Sequence, residues 1–508
     1  MLTLGEAGAH GGSFLDGCRP AWRDERPLLI LPDGRRLTYG EAEHGAARYG
    51  AVFAALGVAK GDRVAAQVDK SQEALLLYLA CLRYGAVYVP VNPGFTPPET
   101  RHLLEDSRPS LVVCAEARAG MVRDWLGTTV AVETLEDGGG SLADRARVLP
   151  PHAGLRPAAG DLAAILYTSG TTGKPKGAMH THRSLLLNAV ALREAWRFTA
   201  EDVLLHSLPF FHAHGLFVST HCALASGCAL QWHARFETDA VIDGMAHCSV
   251  FMGVPTMYHR LLKSERLTAA ACAGVRLFAS GSAALSEDAF LAFERHTGQR
   301  IVERYGMSEA GIIATNPCTG VRKPGSVGIP LPVTEVRVTG GDGQPLPAGR
   351  DGDVRIRGAS IFRGYWERPD LTAEEIAADG WFRTGDVGHF DGDGYLHLVA
   401  RAKDVIISGG YNVYPAEIED VLKRIDGVQD AAVIGVPHPD FGEGVTAVLC
   451  VAPDGPTEQA IIARARLELV GYKVPKRVFF VEGLPVNAIG KVLKQELKAR
   501  FAEAYAGL

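Results

Sequence analysis

The chain has 508 residues, 47% hydrophobic and 22% charged, with a formal net charge of −6. That length exceeds one ordinary core and predicts two or three domains. The acidic balance excludes a general nucleic-acid binder, because a phosphate backbone demands a positive surface. Nine cysteines without a CxxC pair exclude a disulfide scaffold and a zinc site. They predict reduced thiols in a cytoplasmic protein. The first residues lack the basic and apolar regions of a signal peptide, and no apolar run reaches membrane-span length. No membrane partner is expected.

In chain order, a strand pair is predicted at 28–31 and 36–38 around a Pro-Asp-Gly turn. An Ala-rich helix follows at 39–56. Then come a strand at 63–67, a helix at 73–84 and strands at 86–91, 111–114 and 129–132. This alternation predicts βαβ units and parallel sheets. An apolar run at 162–166 reads as a buried strand feeding a polar loop. Strand and helix signals alternate again through 203–300. From 333 to 398 short β-runs with Gly/Asp turns predict a small antiparallel subdomain. The remainder reads as a compact α+β unit, with helices at 416–425 and 457–469 and strands at 430–436, 445–451 and 477–481.

The most telling segment is Tyr167-Thr168-Ser169-Gly170-Thr171-Thr172-Gly173-Lys174-Pro175-Lys176-Gly177. Glycine lets backbone approach an anion, hydroxyls donate, and lysine neutralises charge, so the loop reads as a phosphate cradle. It is not the GxxxxGK[ST] loop, because Pro175 follows Lys174. Its residue order resembles the phosphate loop of the adenylate-forming family of acyl-CoA synthetases, luciferases and adenylation domains. Further segments extend the resemblance over nearly the whole chain. These are Glu303-Arg304-Tyr305-Gly306-Met307-Ser308-Glu309, Trp381-Phe382-Arg383-Thr384-Gly385-Asp386, Arg401-Ala402-Lys403-Asp404 and Pro485-Val486-Asn487-Ala488-Ile489-Gly490-Lys491. Ala400 stands where the family has Gly.

The resemblance implies an α/β fold. Its large N-terminal domain, 1–400, would hold two mostly parallel sheets and a β-barrel-like subdomain. A hinge at 401–403, centred on Lys403, would lead to a small mobile α+β domain, 404–508. It further implies ATP, Mg²⁺ and coenzyme A as reactants and helper ion, with no prosthetic group. Thr168, Ser169, Gly170, Thr171, Thr172, Gly173 and Lys176 would hold phosphate. Ser282, Glu303, Arg304, Tyr305, Gly306, Met307 and Ser308 would complete the nucleotide site with Asp386 and Arg401. Glu309 would bind the metal, a hard cation that prefers carboxylate oxygen. Lys491 would neutralise charge in the first half-reaction, with Thr168 and His214 also in the catalytic set. Ser408, Gly409 and Gly410 would line a thiol tunnel. No carrier domain is expected after residue 508, which favours a free thiol.

The acid is read from Phe211-His212-Ala213-His214-Gly215-Leu216 and Arg276-Leu277-Phe278-Ala279-Ser280-Gly281-Ser282-Ala283-Ala284-Leu285. These most resemble malonyl-CoA synthetases. Such an enzyme needs a cation for the distal carboxylate, which arginine binds as a fork. Arg260 and Arg276 are the expected candidates. Small residues at Ala213, Gly311 and Ala283 would leave room for an α-substituent. The expectation is therefore malonate or methylmalonate, the alternative being a short- or medium-chain or aromatic acid.

Overall fold

The computed structural model describes residues 1–168, 175–401, 404–408, 411–469, 471–487 and 490–506. The fold is α/β with parallel-rich sheets, a large N-terminal domain and a small C-terminal one. Contacts group the chain into two compact units. The first is Met1–Glu335 with Ile356–Phe382, and the second is Val336–Arg355 with Arg383–Leu508. This division runs before Asp386 and Arg401, whereas the sequence places the boundary at 400.

The first unit contains two sheets. One has six strands, ordered Ala131–Thr134, Leu111–Cys114, Arg63–Gln67, Val87–Pro90, Leu162–Thr168, Lys176–Thr181. Its first five are parallel and the last is antiparallel. The other has nine strands, with Val203–His206, Val250–Gly253, Leu277–Ser280 and Ile301–Met307 parallel at its heart. Near-continuous apolar runs such as Leu111–Cys114 are buried throughout, as sheets covered on both faces require.

Local signals set the helix limits. Helix Tyr39–Ala55 starts at a capping box of Thr38 and Glu41. Helix Gln72–Tyr84 starts at Ser71, whose side chain accepts from the Ala74 amide, and ends at Gly85 with φ 88°. Helices Pro97–Ser107 and Glu116–Leu126 add two crossovers that the sequence pattern did not reveal.

Strands Thr334–Thr339, Gly352–Gly358, Phe382–Phe390 and Leu396–Arg401 form the expected small sheet. In the second unit, Val428–His438 and Gly442–Val451 make a long antiparallel pair, with Arg477–Phe480 parallel to the latter. Helices Pro415–Lys423 and Glu458–Glu468 bury Ile418, Leu422, Ile461 and Ala465 in a core with that sheet. Eight of the nine free cysteines are buried, Cys318 being the exception. No helix among the described residues is long and apolar enough to cross a membrane.

Candidate active site

The phosphate segment lies in a hairpin. Thr168 ends one strand and pairs with Lys176 at the start of the next. Ser169, Gly170, Thr171, Thr172 and Gly173 lie outside the described residues. A Cβ on Gly177 would sit 2.7 Å from Ile165 Cγ2, so only glycine lets the two strands and Trp366 close together. The base of the hairpin is tied by Tyr167, whose hydroxyl donates to Asp106 Oδ2 at 2.6 Å. Asp106 also receives Arg368 at 2.8 Å.

Lys176 Nζ lies 5.2 Å from the Tyr365 ring centroid, a cation–π distance. The Tyr365 hydroxyl donates to Glu309 Oε1 at 3.1 Å. The Phe362 amide donates to the Glu309 carbonyl at 2.7 Å. The carboxylate expected to hold metal is thus buried and braced. Among the described residues no three His, Cys, Asp or Glu side chains gather as a metal cage. One carboxylate, completed by substrate phosphates and water, suits Mg²⁺, so Glu309 fits the ion.

Ser308 and Glu309 occupy the turn between strands Ile301–Met307 and Gly311–Thr315. His180, from the hairpin strand, donates through Nε2 to the Ser308 carbonyl at 2.6 Å. Burial lowers the His180 pKa to about 4. Asn188 donates to the Ile312 carbonyl at 2.8 Å and accepts from its amide at 3.1 Å. Gly311 has φ 66°, and a Cβ there would meet Asn188 Oδ1 at 2.6 Å. Its smallness answers to Asn188 and to a left-handed backbone. Gly306 is similarly required, since a Cβ would overlap the Gly311 carbonyl. His180 and Asn188 were missed by sequence reasoning; neither lies in a motif.

Alternation along Ile301–Met307 separates its side chains. Tyr305 shares a side with Glu303, and Arg304 points the other way, before the register shifts between Tyr305 and Gly306. Glu303 is buried with no partner for Oε1 among the described residues, and burial raises its pKa to about 8. Arg304 is buried too, and neither Nε nor Nη2 has a partner among the described residues. Burial lowers its pKa to about 9. Gly281 makes room for it, because a Cβ would overlap the guanidinium.

Arg304 neighbours the acyl segment. His214 is buried at the start of a π-helix, His214–Ser219, a rare element that recurs at functional sites. Its Nδ1 lies 3.3 Å from Ser282 Oγ. Its Nε2 has no partner among the described residues. Burial depresses its pKa strongly, with the Arg304 charge next in effect. Ser282 holds φ 72°, a strained value for a side-chain-bearing residue. Ala213 precedes the π-helix, half-buried against the core.

The two arginines expected at the distal carboxylate are placed elsewhere. Arg276 forms a fork on Asp202, with Nη2–Oδ2 at 2.7 Å and Nε–Oδ1 at 2.8 Å. It also donates to the Trp196 and Arg197 carbonyls at 3.0 and 3.2 Å. Burial raises the Asp202 pKa, but Arg276 and Ser249 outweigh it and the net shift is downward. A guanidinium so saturated has no fork left for a substrate. Arg260 is exposed in the last turn of helix Pro255–Leu262. Arg304, expected to contact nucleotide, is a buried cation whose Nε and Nη2 have no partner among the described residues.

In the second unit Asp386 is buried, and its backbone pairs with Arg401 on the adjacent strand. Of Arg401 the backbone alone is described. Thr384 Oγ1 accepts from the Asp386 amide at 3.1 Å and donates to Val354 at 2.7 Å. Ser408 is buried and pairs with Tyr411. Lys403, Gly409 and Gly410 lie outside the described residues. Lys491 is exposed in a turn closed by Asn487, whose side chain accepts from the Lys491 amide at 2.9 Å. Gly490 reaches φ 78° there.

Comparison with known proteins shows the family. Residues 19–366 match the AMP-binding enzyme family, and residues 417–491 match the AMP-binding enzyme C-terminal domain. A feruloyl-CoA synthase of Amycolatopsis sp is 37% identical, over 95% of this chain and 98% of its own. A malonate–CoA ligase of Arabidopsis thaliana is 32% identical, over 93% and 86%. The crystal structure of ATP-bound MatB from Rhodopseudomonas palustris superposes with a TM-score of 0.94. It is 42% identical and covers 97% of this chain and all 100% of its own. The chain belongs to the AMP-binding enzymes and is an AMP-forming acyl-CoA synthetase, using ATP, Mg²⁺ and coenzyme A.

Proposed function

We propose that the acid is a small dicarboxylate, malonate or methylmalonate, and that the product is its coenzyme A thioester. The observation carrying this is Arg304. Its Nε and Nη2 have no partner among the described residues, a buried cation without a counterion is costly, and it lies against Gly281 and acts on His214. A second carboxylate on the substrate would supply the missing partner as a bidentate pair. The relatedness to the malonate–CoA ligase and MatB supports the reading.

In this reading the near carboxylate oxygen attacks the α-phosphorus of ATP and the bond to the β-phosphate oxygen breaks. Acyl-adenylate forms and pyrophosphate leaves. Thr168, the loop 169–173 and Lys176 hold the departing phosphates, and Ser308 faces the α-phosphate. Tyr305 flanks the adenine, and Asp386 and Arg401 hold the ribose. Glu309 would hold Mg²⁺, which would supply neutralisation of phosphate charge. The Lys491 ammonium neutralises the charge that builds up at attack. With Lys403 as hinge, coenzyme A then enters along Ser408 to Gly410. Its sulfur forms the thioester bond, its proton is lost, and AMP leaves.

The test is AMP release over a panel of malonate, methylmalonate, acetate, hexanoate and ferulate. A kcat/KM for one dicarboxylate at least about tenfold above every monocarboxylate is expected. Faster turnover of hexanoate or ferulate overturns the dicarboxylate reading and favours the neutral-acid alternative.

A further inference from the structure

Lys70 follows strand Arg63–Gln67 of the six-stranded sheet, yet it serves the other sheet. Its Nζ donates to the carbonyls of His206 and His233 at 2.7 and 2.6 Å and to His206 Nδ1 at 2.7 Å. Burial pushes the Lys70 pKa well below its usual value, and what holds the charged form is its acceptors: an ammonium has three donors, and these three groups take all of them. The Trp232 ring centroid lies 4.3 Å from Nζ. His206 and Trp232 end adjacent parallel strands, and ligands of such sheets gather at carboxyl ends.

Because Nδ1 accepts, the His206 proton resides on Nε2, 2.9 Å from the Gly215 carbonyl. Thr220 Oγ1 donates to the same carbonyl at 2.9 Å. Gly215 is the second residue of the π-helix, and a Cβ there would overlap the Pro209 carbonyl. Burial, and next the Lys70 charge, depress the His206 pKa and keep its ring neutral. The ammonium thereby selects one tautomer, and that tautomer anchors the first turn of the π-helix.

We propose that Lys70 is a positioning residue for the acid site, acting through His206 on the Gly215 carbonyl to fix the turn that presents His214. The proposal rests on His214 facing the acid.

Lys70→Met keeps the aliphatic stem beside Trp232 and removes the donors. It is measured by pyrophosphate exchange with whichever acid the wild type uses best. A rise of about tenfold in the acid KM is expected, with the ATP KM changed less than about twofold. His206→Phe is expected to behave alike, and the double variant no worse than His206→Phe alone. A lowered melting temperature with both KM values unchanged overturns the proposal, as do additive losses. Should Lys70→Met fail to fold, Thr220→Val weakens the same carbonyl anchor with the lysine in place. It should raise the acid KM about threefold, and an unchanged acid KM overturns the proposal. A wild type preferring a monocarboxylate would change the acid used and leave this result separate.

Discussion

Gly281 and Arg304 occupy mutually exclusive space: a Cβ on the glycine would overlap Cζ and Nε of the guanidinium. The guanidinium is the far end of a flexible side chain, so Gly281→Ala should displace it without unfolding the protein. The expected result is a malonate KM about tenfold higher, ~1.4 kcal/mol, with the ATP KM preserved. Pyrophosphate exchange against each substrate checks this, and an unmoved malonate KM refutes it.

Arg304 itself should show a stability–function trade. Its side chain is buried without a partner for two of its nitrogens among the described residues, so the acid-free protein carries an uncompensated charge. Arg304→Met should melt about 1–3 °C higher and lose dicarboxylate turnover. Malonate should raise the melting point of the wild type and leave the variant unmoved. A variant that melts lower and still responds to malonate contradicts the assignment.

The opposite pattern is expected for Arg276. Arg276→Ala leaves the Asp202 carboxylate, only 5% exposed, without its fork. A loss of about 2–3 kcal/mol in unfolding free energy follows. Denaturant titration measures it, and the ratio of malonate to acetate turnover should stay constant. A selective rise in the malonate KM would return this arginine to the acid site.

Much of this architecture was legible in the sequence, and the residue order explains which parts. The strand at 63–67 and the helix after Ser71 announce themselves through an apolar run and a cap. The motifs around Thr168, Glu309, Asp386 and Lys491 suggest their roles because residue type and spacing within each are local. Partnerships across the chain are not. Asp202 lies 74 residues from Arg276, and Asn188 lies 124 residues from Ile312. No spacing rule connects either pair, so Arg276 looked available and Gly311 looked merely small. The π-helix at His214 carried no periodic signal, because its pitch comes from packing and from bonds to Gly215.

Tyr365 should tune the metal. Tyr365→Phe removes the hydroxyl 3.1 Å from Glu309 Oε1 while keeping the ring beside Lys176. The loss of one hydrogen bond to a carboxylate is worth about 1.5 kcal/mol. A Mg²⁺ half-saturation several-fold higher is therefore expected in adenylation assays, with the acid KM unchanged. An identical Mg²⁺ titration would refute the proposed metal role of the Tyr365–Glu309 pair.

Acid sensitivity follows from the buried histidines. Burial lowers the pKa of His180 and of His182 to about 4 and of His221 to about 3. The unfolded chain binds these protons near pH 6.5, ahead of the folded one. Their stabilising contribution is thus complete above pH 6.5 and is lost progressively as the pH falls towards 4. Melting temperature should be level from pH 8 to 7 and decline steeply from 6.5 to 5. A flat profile down to pH 5 would mean that these rings gain protons as readily in the fold as in the unfolded chain.

The cysteines bear on an enzyme whose substrate and product are a thiol and a thioester. Burial raises the pKa of Cys228 and of Cys248 to about 12 and of Cys114 and of Cys272 to about 11. Thiols held in that form are poor nucleophiles. The protein therefore neither intercepts its own thioester by acyl exchange nor forms mixed disulfides with coenzyme A at those positions. Disulfide reagents used to follow coenzyme A consumption should accordingly leave those four cysteines unread, and any enzyme thiol they do read is expected at Cys318, which is not buried.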